Sequence, residues 1–565
     1  MWNPASLSFW VGGGGGDVIG TLKRVVEDAW FEITVVRNML VKQFPGELSM
    51  LYKYLLTLFF SEIGHNIARS GVQVCFPDAT SLIVFGELDC VVADEAALHF
   101  MYDCKGSAGL KPCMLCTNVY NQKTTRDVVR LDRTKASVHH TCADPSLFVP
   151  ATEGVMLAIT NRLKTAAPIL GVGAFAELEI RLGWKHSPHG VMYSPQVLPR
   201  VLPSKIVCFD YAHVLFVNGV FNINAGLFIG MLWRSPMPRN IVVDYVGQWQ
   251  WPKSVSGSIS PNGVFSAARL RSSLEAKTLK CTASEGISLL PVLANFACSL
   301  LTHADPTVQD HSRCFLGLAL VASCVLRSQR SLMDRRLLVA RLRQYMQHFK
   351  RLYGDDLMVP KFHQMMHLAS FRWVRLPNCL VHERKHKAIK RFANEIRNTN
   401  CDWDKSVLRE TTTLHIEHLA NGPAHKFATD AMLIGSKQPD RKTLAAVLPL
   451  LGGFSPESIQ TSPRARTNRF ETVAVADVVL LNDCDVPNIA KVLFHVSVSD
   501  GGESMTLTGV QEFDILSSTP RHWKCMPTER NKVVCTSDIV CAAIYAGNAP
   551  MTVLRPFHAT RSRDM

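Results

Sequence analysis

The chain has 565 residues, 47% of them hydrophobic and 19% charged, with a formal charge of +14 at pH 7. That balance excludes a wholly disordered chain and leaves room for a buried core divided over roughly two or three domains. The positive excess favours a polyanionic partner, most simply nucleic acid.

Residues 1–80 read as a helical N-terminal region, in which Leu51, Leu55, Leu56, Phe59 and Phe60 give one apolar face. Met1–Trp10 has no basic start of a secretory signal, and Gly12–Gly16 interrupts it. From Ser81 the pattern changes. Ser81–Ala93, SLIVFGELDCVVA, is β-branched and apolar, as a buried strand or strand pair is, and it stops at Asp94. Gly106–Cys116, GSAGLKPCMLC, is rich in turn residues and ends in C-x-x-C, and Leu182–Pro195 reads as a long ordered loop. A second short strand, Lys205–Phe209, ends at Asp210. Both carboxylates thus fall where strand gives way to loop, the usual place for site residues on an open sheet.

After Asp210 the chain is helical for a long way. Arg335–Tyr353 sets Leu338, Leu342, Tyr345, Met346, Phe349 and Leu352 at helical spacing against an Arg- and Lys-bearing side, the pattern of a packed helix rather than a cofactor box. The longest apolar runs, Ile287–Leu301 and Cys314–Leu326, fall short of the ~20 residues that span a bilayer, so a soluble chain with no membrane partner is expected. Residues 435–470 hold Gly, Ser, Pro and scattered basic residues and read as a linker. Beyond them Val473–Leu481, Lys491–Val498 and Val533–Ile544 are strand-like, which predicts a small all-β module over 471–565.

Seventeen cysteines spread along the chain argue against a secreted disulfide framework and for reduced intracellular thiols. Cys113 and Cys116 have the spacing of a zinc knuckle, in which two thiolates three apart share one ion. A C-x-x-C alone is half a site, and a redox pair is the other reading, although no thioredoxin-like pattern surrounds it. His363 and His367, one helical turn apart, can complete a Cys2His2 tetrahedron around Zn2+ or simply pack; His139, His140 and Cys142 are the competing ligands.

Asp94, Asp210 and Glu383 form a second constellation. Three carboxylates brought together can hold two Mg2+ (or Mn2+) ions ~3.5–4 Å apart, the arrangement that cleaves and joins phosphodiesters. Any one aspartate at a strand end can equally be a turn cap, and Asp89, Asp103, Asp355 and Asp356 are spare carboxylates. Glu383 lies in a dense basic run with Arg384, Lys385, Lys387, Lys390 and Arg391, which suits contact with a DNA backbone. The same stretch contains His382-Glu383-Arg384-Lys385-His386, literally H-E-x-x-H. Its charged intervening positions and the absence of a third ligand at a family spacing disfavour a zinc metalloprotease.

Taken together, four blocks resemble those of CACTA-type (En/Spm-like) cut-and-paste DNA transposases. Asp94-Glu95-Ala96-Ala97 leading into GSAGLKPCMLC resembles their D-x-P-A … G-x-x-x-C-x-x-C block, and CFDYAHVLFVNGV their D-x-M-H … G-V block. PKFHQMMHL and HERKHKAIKR are similar to the K-x-H-x-x-x-H and R-x-E-x-K-H-K blocks. The likeness covers about 80–395 in order, departing at Ala96, Ala212 and Val381, where the family's blocks carry Pro, Met and Arg.

This resemblance implies an α/β fold: an RNase H-like mixed sheet flanked by helices, begun by 81–221, interrupted by a helical insertion at 222–355 and completed by 356–434. It implies that Asp94, Asp210 and Glu383 are the metal-binding catalytic triad and that His213 supports Asp210. Cys113, Cys116, His363 and His367 would form a structural zinc site. It further implies a nuclear protein that acts on element ends and target DNA, possible as a homo-oligomer. The alternative within the same fold is a domesticated, catalytically inactive DNA-binding protein.

Overall fold

A computed structural model describes residues 90–121, 137–371 and 430–557, apart from short breaks. It also describes strands at 7–10, 72–75 and 81–88 and the isolated positions 376, 379 and 410. Glu383, the H-E-x-x-H stretch and the basic positions Arg384, Lys385, Lys387, Lys390 and Arg391 lie outside the described residues, as does most of the 1–80 region. What is described within 1–80 is strand, at Leu7–Trp10 and Val72–Cys75, where helix was expected. The chain is mixed α/β with mostly antiparallel sheet, and it divides into two compact units, Met1–Leu215 with Arg335–Gly422 and Phe216–Asp334 with Pro423–Met565.

In the first unit, Ser81–Ala93 is two strands. Ser81–Leu88 is the centre of a three-stranded antiparallel sheet between Leu7–Trp10 and Val72–Cys75. Val91–Ala93 instead pairs in parallel with Val207–Phe209, in the register Val91↔Val207, Val92↔Cys208, Ala93↔Phe209. Every residue of this pair is buried, which explains the unbroken apolar sequence: parallel strands are covered on both faces and show no alternation. The expected single mixed sheet is therefore, among the described residues, three separate small ones, the third pairing Val119–Tyr120 with Val138–His139 in parallel. The second strand is also shorter than Lys205–Phe209, because Pro203–Ile206 forms a helical turn started by its proline.

Each parallel strand runs straight into a helix. Asp94 caps Glu95–Tyr102, and Asp210 precedes Tyr211–Leu215. Helix Arg335–Tyr353 buries the predicted Leu338, Leu342, Tyr345, Met346 and Phe349. It packs on Pro360–His367, hereafter the histidine helix, with Phe349 and Phe362 rings 4.7 Å apart. Arg335–Tyr353 thus belongs to the first unit, not to the insertion 222–355.

The second unit joins the rest of that insertion to the C-terminal strands. Helices Val220–Arg234, Ala283–Ser299 and Pro306–Arg327 pack through Phe228, Phe296 and Phe315. The main sheet has nine strands, all paired antiparallel, with the long hairpins of Asn488–Asp500, Glu503–Ser518 and His522–Cys535 at its middle. The module predicted over 471–565 is not self-contained: Trp249–Gln250 adds an edge strand beside Ile544–Ala546, and Ile459–Ser462 pairs with Asn488–Asp500. The linker expected at 435–470 is corrected likewise. It holds helix Arg441–Leu451 and strands Ile459–Ser462 and Arg464–Arg466, and Val447, Leu451 and Ile459 are buried against Val496 and Val498.

Two helical stretches, Tyr211–Arg234 and Ala283–Thr302, are long and apolar enough to cross a bilayer by length and composition, which corrects the length argument above. In the most apolar 18-residue window of each, 78% and 61% respectively is buried in the fold, as in core helices.

At Gly226 the helix Val220–Arg234 passes the backbone of Thr278, where an added Cβ would stand 2.6 Å from Thr278 Cα. Gly226→Ala is expected to cost about 1–3 kcal/mol through overpacking against unyielding backbone, read as a lowered urea midpoint. His495 is fully buried and shares a hydrogen bond with Thr508, which bonds Thr536 in turn. Burial pushes its imidazole down to about 4. The neutral ring is therefore the folded form, so its contribution is complete above the ordinary value near 6.5 and is lost as pH falls towards about 4. Unfolding titrations should show a stability loss on the order of 3 kcal/mol over that window, and His495→Asn should flatten this part of the slope.

Candidate metal centre and acid pair

The C-x-x-C segment is held by its backbone. Thr117 N donates to Val149 O and Ala151 N to Leu115 O, both at 2.9 Å, so 115–117 is tied to 149–151. Leu115 N donates to Cys113 Sγ at 3.3 Å, turning both sulfurs to one side. The opposing half is the histidine helix, begun by Pro360 at its first position, where a missing N–H costs nothing. Its four-residue spacing puts His363 and His367 on the same face.

The two halves meet. His367 Nε2 lies 3.4 Å from Cys113 Sγ, 3.3 Å from Cys116 Sγ and 3.0 Å from His363 Nε2. All four donor atoms fall within 4.8 Å of one another, and all four residues are buried. Ligands at about 2.0–2.3 Å on a tetrahedral ion stand roughly 3.3–3.8 Å apart, so the cluster is close to the spacing Zn2+ requires. Four buried polar groups with chiefly each other as partners are costly unless an ion satisfies them together. The donor set, two sulfurs and two imidazoles, suits Zn2+ and not Mg2+.

The surroundings are apolar. Phe148 stands edge-on to His363 at 4.6 Å, and Phe209 and Phe371 flank His367 at 5.8 and 6.4 Å. Burial opposes ionisation of Cys113, but the hydrogen bond from Cys116 and the two neighbouring imidazoles outweigh it and hold this thiol well below its ordinary value. Cys116 is pushed up by that same bond and by burial. Burial likewise lowers His363, which keeps it neutral and able to ligate. The competing ligands are engaged elsewhere: His140 Nε2 meets Met358 O at 2.8 Å, and Cys142 Sγ donates to Asp144 O at 3.6 Å. Among the described residues, no other set of His, Cys, Asp and Glu side chains converges in this way.

Asp94 and Asp210 stand side by side at the carboxyl ends of the parallel strands, one residue beyond the pair Ala93↔Phe209. Asp210 N donates to Ala93 O at 3.4 Å across that end. Asp94 Oδ1 accepts from Ala97 N at 2.7 Å, the capping role open to any aspartate at a strand end. Asp210 is buried; its Oδ1 accepts from Ala212 N at 3.0 Å and its Oδ2 is bonded by His213 Nδ1. Glu383, the third predicted acid, lies outside the described residues.

Sequence reasoning assigned no role to two neighbours of this pair. Lys361, on the first turn of the histidine helix, donates from Nζ to His213 O at 3.0 Å. Burial lowers its ammonium below the ordinary value, while Glu95, Asp94 and Asp210 pull it back up. Burial raises the Glu95 carboxyl, opposed by hydrogen bonds from Gln364 and Ser107 and by Lys361. Lys361 stands in the K-x-H-x-x-x-H stretch, so its place beside the histidines was the available signal.

Comparison with protein-family models, with curated proteins and with solved structures finds nothing that matches this chain. The site itself defines a chain with a Cys2His2 cluster able to bind a metal such as zinc.

Purified protein should contain zinc in about equimolar amount by elemental analysis, and Cys116→Ser or His367→Asn should abolish it. Because the ligands must shed protons to bind, zinc retention should fall as pH drops below about 6, read by release to a chromogenic chelator.

Proposed function

We propose that the chain is a DDE-type DNA transposase, or a protein derived from one, with an RNase H-like core. The observation that supports this best is the register of the parallel strands, which sets Asp94 and Asp210 together at one sheet end. Metal-dependent phosphoryl transfer needs acids held in this manner, since divalent cations with oxygen ligands and open positions supply activation of the attacking oxygen and neutralisation of the leaving one. Asp94, Asp210 and Glu383 would hold them. Glu383 lies outside the described residues, and its inclusion rests on the resemblance of HERKHKAIKR to the family's R-x-E-x-K-H-K block.

The chain's own residues divide the work. His213 orients Asp210 by bonding one carboxylate oxygen, leaving Oδ1 with the Ala212 amide. Zn2+ held by Cys113, Cys116, His363 and His367 would fix the histidine helix against the C-x-x-C turn, a structural role. The basic run Arg384, Lys385, Lys387, Lys390 and Arg391, with the exposed cations of Arg335–Tyr353, would hold DNA backbone, and the nucleus is the compartment this implies. Any homo-oligomer belongs to the same proposal.

A second reading, a DNA-binding protein without catalysis, is favoured by one feature: both aspartates already have hydrogen-bond partners within the fold. A nicking assay on supercoiled DNA with Mn2+ or Mg2+ separates the two. Wild type should nick, and Asp210→Asn should fall to the metal-free background while still binding DNA with a steep salt dependence. Nicking unchanged by the substitution would remove Asp210 from the site, and salt-sensitive binding with no nicking by wild type would leave the second reading.

A further inference from the structure

We propose that Lys361 is the resident counter-ion of the Asp94–Asp210 pair, and that a divalent cation entering this pair must compete with its ammonium group. The inference rests on the reading of these acids as a metal site.

The placement follows from three connected contacts. Lys361 Nζ donates to the His213 carbonyl at 3.0 Å, the His213 ring bonds Asp210, and Asp210 abuts Asp94 through the strand register. Lys361 is therefore held at the acid end of the sheet from a separate element. The charges of Glu95, Asp94 and Asp210 each favour its ammonium form, against the burial that lowers it. Asp210 is almost wholly buried, and buried carboxylates carry a large desolvation cost unless a cation lies close by.

Its backbone lies on the histidine helix, two and six residues before His363 and His367 of the Cys2His2 cluster. Lysine suits an exchangeable counter-ion: it is a compact charge on a flexible four-carbon stem, and it can move aside without dragging the backbone. A divalent ion at the same carboxylates meets its repulsion directly. At an effective dielectric near 20, removing one such charge even about 10 Å away shifts divalent affinity by about tenfold or more.

The test is Mn2+ affinity of the zinc-loaded full chain without DNA, read from the electron paramagnetic resonance signal of free Mn2+. Lys361→Met and Lys361→Gln should each bind Mn2+ about tenfold or more tightly than wild type. Lys361→Arg, which keeps the charge, should stay near wild type, and Asp210→Asn should lose the site. Zinc content and near-ultraviolet circular dichroism check that each variant is folded. Unchanged or weaker Mn2+ binding in both neutral variants overturns the proposal and leaves the acid pair as a metal site. No Mn2+ binding in wild type and neutral variants alike overturns the proposal and the metal-site reading together. Tighter binding in the neutral variants without nicking by wild type supports the counter-ion and overturns only the catalytic reading.

Discussion

The first unit depends on one contact: two sulfurs from a turn near residue 115 against two imidazoles from a helix some 250 residues later. Closing so long an excursion has an entropic cost that grows slowly with length, and weak packing alone recovers it poorly. An ion shared by the four ligands would repay it in one step, because ligand binding becomes folding free energy. The surrounding phenylalanines lower the local polarity, which would strengthen each bond to an ion held there. Whatever the histidine helix presents to its other neighbours is thereby set by a buried junction flanked by phenylalanines.

What it presents is a lysine at the end of a sheet that, among the described residues, has two strands. Three-residue strands are too short to hold a pair of acids by ladder hydrogen bonds alone. Complete burial, the Asp94 cap and the His213 bond make up the difference. The same contacts that fix the acids also occupy some of their lone pairs.

Much of this site was legible because its chemistry is carried by residue types with few other uses. Val91-Val92-Ala93 and Val207-Cys208-Phe209 read as buried strands because parallel pairing hides both faces, and each is followed at once by an aspartate. Thiols at i, i+3 and imidazoles at i, i+4 look for a common ion, and the fold sets them together. Lys361 was legible only as the first position of the K-x-H-x-x-x-H stretch; its place beside the acids comes from packing. The C-terminal organisation failed for a different reason. Arg441–Leu451 carries Pro449, which argues for a break, yet the proline lies in the last turn and the helix survives it. Ile459–Ser462 is half polar, and Trp249–Gln250 is two residues long, so neither has enough periodicity to declare itself a strand. Their pairing is a tertiary decision. The expected single RNase H-like sheet was inferred from resemblance, and in the described residues the strands divide into separate small sheets.

The chain leaves the first unit at Leu215, returns at Arg335 and leaves again after Gly422. Neither unit is a contiguous stretch, which matters on the ribosome. The edge strand Trp249–Gln250 emerges nearly three hundred residues before its partner Ile544–Ala546, so the second sheet cannot close until synthesis is almost over. The Cys2His2 ligands, by contrast, are all outside the exit tunnel while that partner is still untranslated. The order of assembly is thus written into the threading: the metal-binding unit can gather its ligands early, and a premature stop near the carboxyl end would strand the other half with an open edge ready to pair with the wrong neighbour.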